Sequence, residues 1–328
     1  MKLAGALAIV YLVWGSTYLA ISVADRTLPP MLMLSARFLL AGAVLYGWLW
    51  RRGDVAAERP GRRQWAAAAA VGGALLVLDT GGVAWAEQRV ASGIAALLVA
   101  SVPLFMTILD RLFFGIRLPL GAAVGVATGL LGVGLLAGPS GRVDAVGAAV
   151  LLFASFAWAA GSAYARVAAL PRQPLLSAAM QMLCAGVGLA VVGIATGELH
   201  RVHLGAVSAE SLAAFAFLVV FGSLVAFTAY GWLLKRASTP LLSTYAYVNP
   251  AVAVLLGWAF AGEHVGGREL AAGLVILSSV AMLMTAREPK EEAPPIPESL
   301  PGYIRSKEAQ AQQLREVPRL AELHRIAA

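Results

Sequence analysis

Residues 89–115, RVASGIAALLVASVPLFMTILDRLFFG, decide how the chain is built, because residues 236–262, RASTPLLSTYAYVNPAVAVLLGWAFAG, repeat their framework 147 positions later. Arg89 returns as Arg236, Ala91-Ser92 as Ser238-Thr239, Pro103 as Pro250 and Gly115 as Gly262. Working outward, Gly15-Ser16 and Tyr18 recur as Gly161-Ser162 and Tyr164, Pro30 as Pro174, and Ala41-Gly42 as Ala185-Gly186. The chain is a tandem repeat with five long apolar stretches in each copy. An odd number of crossings per copy turns the second copy upside down in a bilayer.

Composition supports a membrane reading. Of the 328 residues 59% are hydrophobic and 13% charged, and mean hydropathy is +0.76, whereas soluble domains carry roughly a quarter charged residues. A spanning helix needs about 20 mainly apolar residues. Spans are expected at 3–24, 31–50, 65–86, 90–113, 118–138, 144–165, 175–197, 211–234, 240–262 and 269–286. The expected fold is therefore an all-α integral membrane protein, ten transmembrane helices arranged as two inverted five-helix repeats over 1–140 and 141–286. The alternating segments of a β-barrel are absent. Inverted repeats are typical of carriers, whose mirrored halves exchange conformations around a site near the bilayer midplane.

Orientation follows from Lys and Arg, which accumulate in cytoplasmic loops. With the N-terminus inside, the inner side before the tail holds twelve of them and the outer side five, Arg26, Arg89, Arg142, Arg201 and Arg268. Both termini are expected in the cytoplasm. The same asymmetry accounts for much of the net charge of +7, and no basic stripe interleaved with aromatics points to nucleic acid. The apolar run after Lys2 is longer than the core of a signal peptide. After residue 286 the chain becomes charged and Pro-rich, with Pro294, Pro295, Pro297 and Pro301. Residues 287–328 are expected to be a disordered cytosolic tail, with a short amphipathic helix after Pro318 as the alternative.

Two charges lie well inside spans, Arg37 and Asp79, and intramembrane charges are functional candidates. Counting from Pro30 and Glu87, both sit roughly 10–12 Å below the outer surface at 1.5 Å per residue, level with Tyr18. Three readings stay open: a static ion pair joining spans 2 and 3, a polar cavity in which Arg37 meets an anionic group, and a proton site at Asp79. The mirrored prolines, Pro103 and Pro250, fall near mid-bilayer, where each removes a helical hydrogen bond and loosens Val99 and Ala246. Ser101, Thr107, Tyr245, Tyr247 and Asn249 surround them. A substrate pathway along spans 4 and 9 is the expectation, kinks for packing the alternative.

Gly121, Gly125 and Gly129 make a flat face for helix approach. Trp48, Trp50 and Trp65 suit an interfacial belt, while Trp14, Trp158 and Tyr164 lie deeper and suit either cavity walls or core. Cys184 has no partner for a disulfide within the chain. His200 and His203 lack the further ligands that a zinc site needs. No catalytic residues, cofactor or metal are expected, and oligomeric state is not set by the sequence.

Trp14-Gly15-Ser16-Thr17-Tyr18, Pro29-Pro30, Arg37-Phe38, Ala86-Glu87, Ser92-Gly93, Val102-Pro103, Gly161-Ser162 and above all Ser243-Thr244-Tyr245-Ala246-Tyr247-Val248-Asn249-Pro250 with Gly262-Glu263 resemble the EamA family of the drug/metabolite transporter superfamily. The resemblance covers residues 3–286. It implies a ten-helix inner-membrane carrier with both termini inside, exporting amino acids, other metabolites or toxic compounds, whose spans 4 and 9 flank the cavity. Asp79-Thr80-Gly81 departs from it, since many relatives have small or amide residues there. The expected partners are a small-molecule substrate, the lipid bilayer and, on the proton-site reading, protons. A membrane enzyme acting on a lipid-soluble substrate is the alternative, and it lacks the clustered His, Asp or Ser it would need.

Overall fold

The computed structural model describes residues 3–114, 120–137, 144–234, 245–263 and 266–285. Those residues are helical and contain no strand. The principal helices are α1 (Leu3–Ala24), α2 (Pro30–Arg51), α3 (Arg62–Glu87), α4 (Ser92–Phe113), α5 (Leu120–Ala137), α6 (Ala145–Ala165), α7 (Pro174–Ala195), α8 (209–234), α9 (Tyr245–Ala261) and α10 (Gly267–Thr285). Among the described residues seven helices are long and apolar enough to cross a membrane, and shorter apolar stretches, Ala123–Gly132, Val248–Ala261 and Leu270–Ser279, lie in α5, α9 and α10. A helix of 22 residues such as α1 reaches about 33 Å, enough for a hydrocarbon core of about 30 Å. Where they fall on described residues, the expected stretches overlap these helices to within a few residues, and seven of the helices are long and apolar enough to span a membrane. The start of the ninth and the tail after residue 286 lie outside the described residues.

Sequence sets the helix starts. Proline occupies the first turn of α2 and of α7, where its missing N–H costs no helical bond. Asp144 accepts from Gly147 N at 2.6 Å and Ser208 Oγ from Ser211 N at 3.0 Å, each supplying an acceptor to an amide that the helix leaves unpaired.

Helix α2 packs along α7, and α5 along α10; α1 lies against α8 and α9, and α6 against α3 and α4. The recurring Ala-Gly pairs explain the first contact. A Cβ on Gly186 would stand 2.7 Å from Leu39 Cγ and 3.0 Å from Leu39 N, and Ser35 Oγ donates to the Gly186 carbonyl at 2.8 Å. Small residues let the two backbones approach. Of the expected flat face on α5, Gly129 meets Leu104 and Ser279 of the same chain, so it serves packing within the bundle.

Three helices depart from regular α geometry at mid-length. In α3 residues Gly73–Thr80, and in α8 residues Leu218–Val225, form π-helical stretches, which widen the helix and recur at functional sites. Helix α4 breaks between Val99 and Val102, where Ser101 N reaches Leu98 O at 3.0 Å. Pro103 accounts for that break. Its counterpart Pro250 sits inside an unbroken α9.

Gly186→Ala forces Leu39 and its backbone aside, and overpacking of this kind costs about 1–3 kcal/mol. Thermal unfolding in detergent should show a lower midpoint for it than for Gly47→Ala, whose new methyl meets nothing within 4 Å. Equal midpoints would show that α2 and α7 do not depend on this approach.

Candidate functional site

Helix α1 places Trp14 and Tyr18 one turn apart, Trp14 against α8 and α9 and Tyr18 against the apolar cluster that includes Val83, Ala86 and Ile94. Trp14 meets three rings: Phe227 at 5.5 Å between centroids, Tyr230 at 5.0 Å and Tyr245 at 5.6 Å, and the last two lie 6.1 Å from each other. The Trp158 indole of α6 donates to the Tyr245 hydroxyl, and Asp79 of α3 acts electrostatically on both Tyr18 and Tyr245. Side chains from α1, α3, α6, α8 and α9 therefore converge. The aromatic members lie among packed helices, and each retains some accessible surface.

The π-helical stretch of α8 organises one wall. The Trp14 indole donates to the Gly222 carbonyl at 3.3 Å, and Arg37 Nε donates to Ser223 Oγ at 3.0 Å. Arg37 also lies over Phe38, 4.9 Å from the ring centroid. Gly222 leaves it room: a Cβ there would stand 3.0 Å from Arg37 Nη2 and 3.3 Å from Thr17 Cγ2.

The static Arg37–Asp79 ion pair is thereby corrected. Ion pairs join Arg26 to Glu210 at 3.8 Å and Arg52 to Asp54 at 3.7 Å, both at the surface, and Arg37 and Asp79 form no such pair. Counting residues along a helix fixes depth, not azimuth, and Arg37 faces α8 rather than α3. Asp79 is 6% exposed and its Oδ1 has no hydrogen-bond partner; the same holds for Asn249 Oδ1 at 7% and Ser101 Oγ at 1%. Arg37 Nη1 is likewise buried and unpartnered.

The other sequence candidates divide. Asn249 and Pro250 are buried on α9, one turn from Tyr245, and Pro103 and Ser101 stand at the break of α4. The side chain of Tyr247 lies outside the described residues. Tyr164 is 47% exposed near the end of α6, apart from its repeat mate Tyr18. Sequence reasoning missed Tyr230, Phe227 and Ser223. Ser223 had a signal, as it interrupts the apolar run 212–227 beside Gly222. The aromatic pair had none beyond its place in an apolar helix.

A clasp closes one end of α4. Glu263, just beyond α9, accepts from Ser92 N and Ser92 Oγ, both at 2.8 Å, and from Gly93 N at 3.0 Å. Gly257 makes space for that carboxylate, since a Cβ there would collide with Glu263 Oε2. Beside it stands Glu87, buried with both oxygens unpartnered and acted on by Asp25 and Glu263. Among the described residues no group of His, Cys, Asp and Glu has the form of a metal site.

Apolar helices of spanning length, with buried polar side chains between them, define a polytopic membrane protein. The chain matches the EamA-like transporter family over residues 2–138 and again over 145–285, and it belongs to that family. It is 39% identical over 288 residues to the uncharacterized inner membrane transporter YedA of Escherichia coli K12, spanning 87% of this chain and 91% of that protein. It is 24% identical over 199 residues, 61% of this chain and 66% of the relative, to a protein of Streptantibioticus cattleyicolor named "Probable terminal-alkyne amino-acid exporter". A solved structure titled "Crystal structure of protein" shares the fold, with a TM-score of 0.60 at 23% identity, over 84% of this chain and 94% of that one.

Two measurements check these contacts. Stability losses from Arg37→Gln and Asp79→Asn should add to within about 0.5 kcal/mol, as for groups that do not meet, whereas Arg37→Gln with Ser223→Ala should show coupling; the reverse pattern would restore the ion pair. Glu263→Ala leaves the Ser92 and Gly93 amides unanswered, and loss of a charged cap costs about 2 kcal/mol. Its unfolding midpoint should fall, and that of Glu263→Gln should lie between it and the parent.

Proposed function

We propose that this chain is a secondary transporter that exports a small solute, of the amino acid, small metabolite or toxic compound classes, by alternating access through the chamber between α1, α3, α6, α8 and α9. Its ten helices form two inverted five-helix repeats, 1–140 and 141–286, in the inner membrane with both termini in the cytoplasm. The observation that carries the reading is the chamber itself: aromatic faces and the unpartnered Asp79 Oδ1, Asn249 Oδ1 and Ser101 Oγ turned inward in an apolar bundle. Polar groups so placed are costly unless a ligand or water answers them.

The repeat architecture draws support from the duplicated sequence, from the two successive family matches, and from the π-helical stretches at corresponding places in α3 and α8. Inverted repeats with interrupted helices place binding near the midplane, where α3, α4 and α8 depart from regular geometry. The inner-membrane and export assignments lean on the names of the relatives, and the orientation on the arginine distribution.

Cells overproducing the chain, challenged with a panel of amino acids, amines and toxic analogues, should tolerate at least one at a higher concentration than control cells. Asn249→Ala at equal protein level should lower the initial rate of its export about tenfold, with the rate measured with and without a pH gradient. Unchanged rates would remove the chamber from the pathway. Impermeant thiol reagents should leave single cysteines in 51–63 unlabelled in intact cells and label those in 198–210; the opposite pattern would invert the orientation.

A further inference from the structure

The two halves of the chain differ at one well-defined contact. Glu263, just beyond α9, accepts from Ser92 N and Ser92 Oγ, both at 2.8 Å, and from Gly93 N at 3.0 Å in the first turn of α4. Two glycines make room for it: a Cβ on Gly257 would collide with Glu263 Oε2, and one on Gly93 would stand 3.4 Å from that oxygen and 3.2 Å from Val254 Cα. The carboxylate thus occupies a slot where α4 and α9 approach closely, and its bonds are charge-assisted, roughly twice as strong as neutral ones. The nearby cation in sequence is engaged elsewhere, since Arg89 lies over Trp85 with its guanidinium 3.9 Å from the ring centroid.

The offset of 147 that relates the repeats gives each member of this contact a mate. Ser92-Gly93 corresponds to Thr239-Pro240, and Glu263 to Ile116. Isoleucine has no acceptor, and proline has no N–H to donate. The mates therefore cannot make the same tie at the opposite end of α4 and α9. On the proposed orientation the end that has it is the outer one, where α4 begins and α9 finishes. The tie also stands above the chamber. Ser101 lies nine residues deeper on α4 and Asn249 fourteen deeper on α9, roughly 13 Å and 21 Å along the helices.

We propose that Glu263 is the outer latch of the carrier. Held on Ser92 and Gly93, it keeps α4 and α9 together above the chamber, and release of its three bonds lets the outer end open. Because the inner end lacks the mate of this latch, the empty carrier rests closed to the outside. This rests on the reading of the chamber as the solute pathway and on the orientation given with it.

The test reads access to the chamber and needs no known solute. With the sole cysteine replaced (Cys184→Ala), Ser101→Cys reports on the chamber, and Ser279→Cys, at a fully buried position where α10 meets Gly129, reports on the bundle at large. In intact cells a membrane-impermeant maleimide should label Ser101→Cys slowly, and at least tenfold faster once Glu263→Ala is added. Gly257→Ala, which drives the carboxylate from its slot but keeps its charge, should do the same, and Glu263→Gln, which keeps one acceptor, should fall between. Labelling of Ser279→Cys should not change, and in inside-out vesicles the rate at Ser101→Cys should not rise. Unchanged labelling in both Glu263→Ala and Gly257→Ala would overturn the latch. So would a rise at Ser279→Cys or from both faces, which is general loosening, and a rise from the cytoplasmic face alone would overturn the outer assignment. Where Glu263→Ala does not yield folded protein, Gly257→Ala decides. Export that depends on Asn249 with no change in labelling would sink the latch and leave the chamber as pathway. Faster labelling in Glu263→Ala with no effect of Asn249→Ala on export would do the opposite.

Discussion

Every polar group buried in an apolar bundle has to be answered inside it, because lipid offers no hydrogen bonds. That constraint keeps the long apolar segments helical, and it makes each departure from regular helix geometry within them informative. Where α8 widens into its π-helical stretch, the Gly222 carbonyl receives the Trp14 indole and Ser223 receives Arg37. In α3 the corresponding stretch carries Thr80, whose hydroxyl donates to the Leu75 carbonyl at 3.2 Å. In α8 the irregular turns thus give side chains from α1 and α2 their backbone and hydroxyl partners, while in α3 a hydroxyl of the same stretch takes the carbonyl. The same turns sit around the chamber, so the cost of irregular backbone and the placement of the site are one arrangement.

A related solution appears at the helix ends. Glu198, beyond α7, accepts from Met31 N at 3.3 Å and Leu32 N at 3.0 Å in the first turn of α2, while Glu58, beyond α2, accepts from Arg172 N at 2.7 Å just before α7. Two helices packed along their lengths therefore exchange carboxylates at opposite ends. Glu263 does the same for α4 from the end of α9. A carboxylate at a helix start answers both the free amides and the positive end of the helix dipole. Since each donor and acceptor belong to different helices, these caps tie helices together as well as finishing them. The clasp between α9 and α4 adds three charge-assisted hydrogen bonds to an apolar contact in which Gly93 abuts Val254.

The helices were legible in the sequence because apolar length is a one-dimensional property. The family was legible because short motifs survive as strings, and the structure shows what one of them does: Ser92-Gly93 and Gly262-Glu263, 170 positions apart, bond each other. What the sequence withheld is azimuthal. Depth placed Arg37 and Asp79 level, but a residue's face on its helix decides its partner, and Arg37 turned to Ser223. Tyr164 illustrates the same limit, being the repeat mate of Tyr18 yet exposed at the end of α6. The π-helical stretches were also hidden, since an extra residue in a turn leaves an apolar run looking as apolar as before. Pro103 and Pro250 shared one rule and met two outcomes, a break in α4 and an unbroken α9, because a proline's lost bond is absorbed differently by different neighbours.

The two interior charges consequently have unequal standing. Arg37 is bonded by Ser223 and covered by Phe38, so its charge is spread into the wall of the bundle. Asp79 keeps a buried oxygen with no hydrogen-bond partner. Many relatives are expected to hold a small or amide residue at this place, which would leave the same helices and the same aromatic walls around a site with no net charge. Membership of the family therefore carries over the helical scaffold. On the proposed reading of these helices as the solute pathway, position 79 is the place where this chain differs in chemistry from relatives with a small or amide residue there, while the helix packing around it is the same.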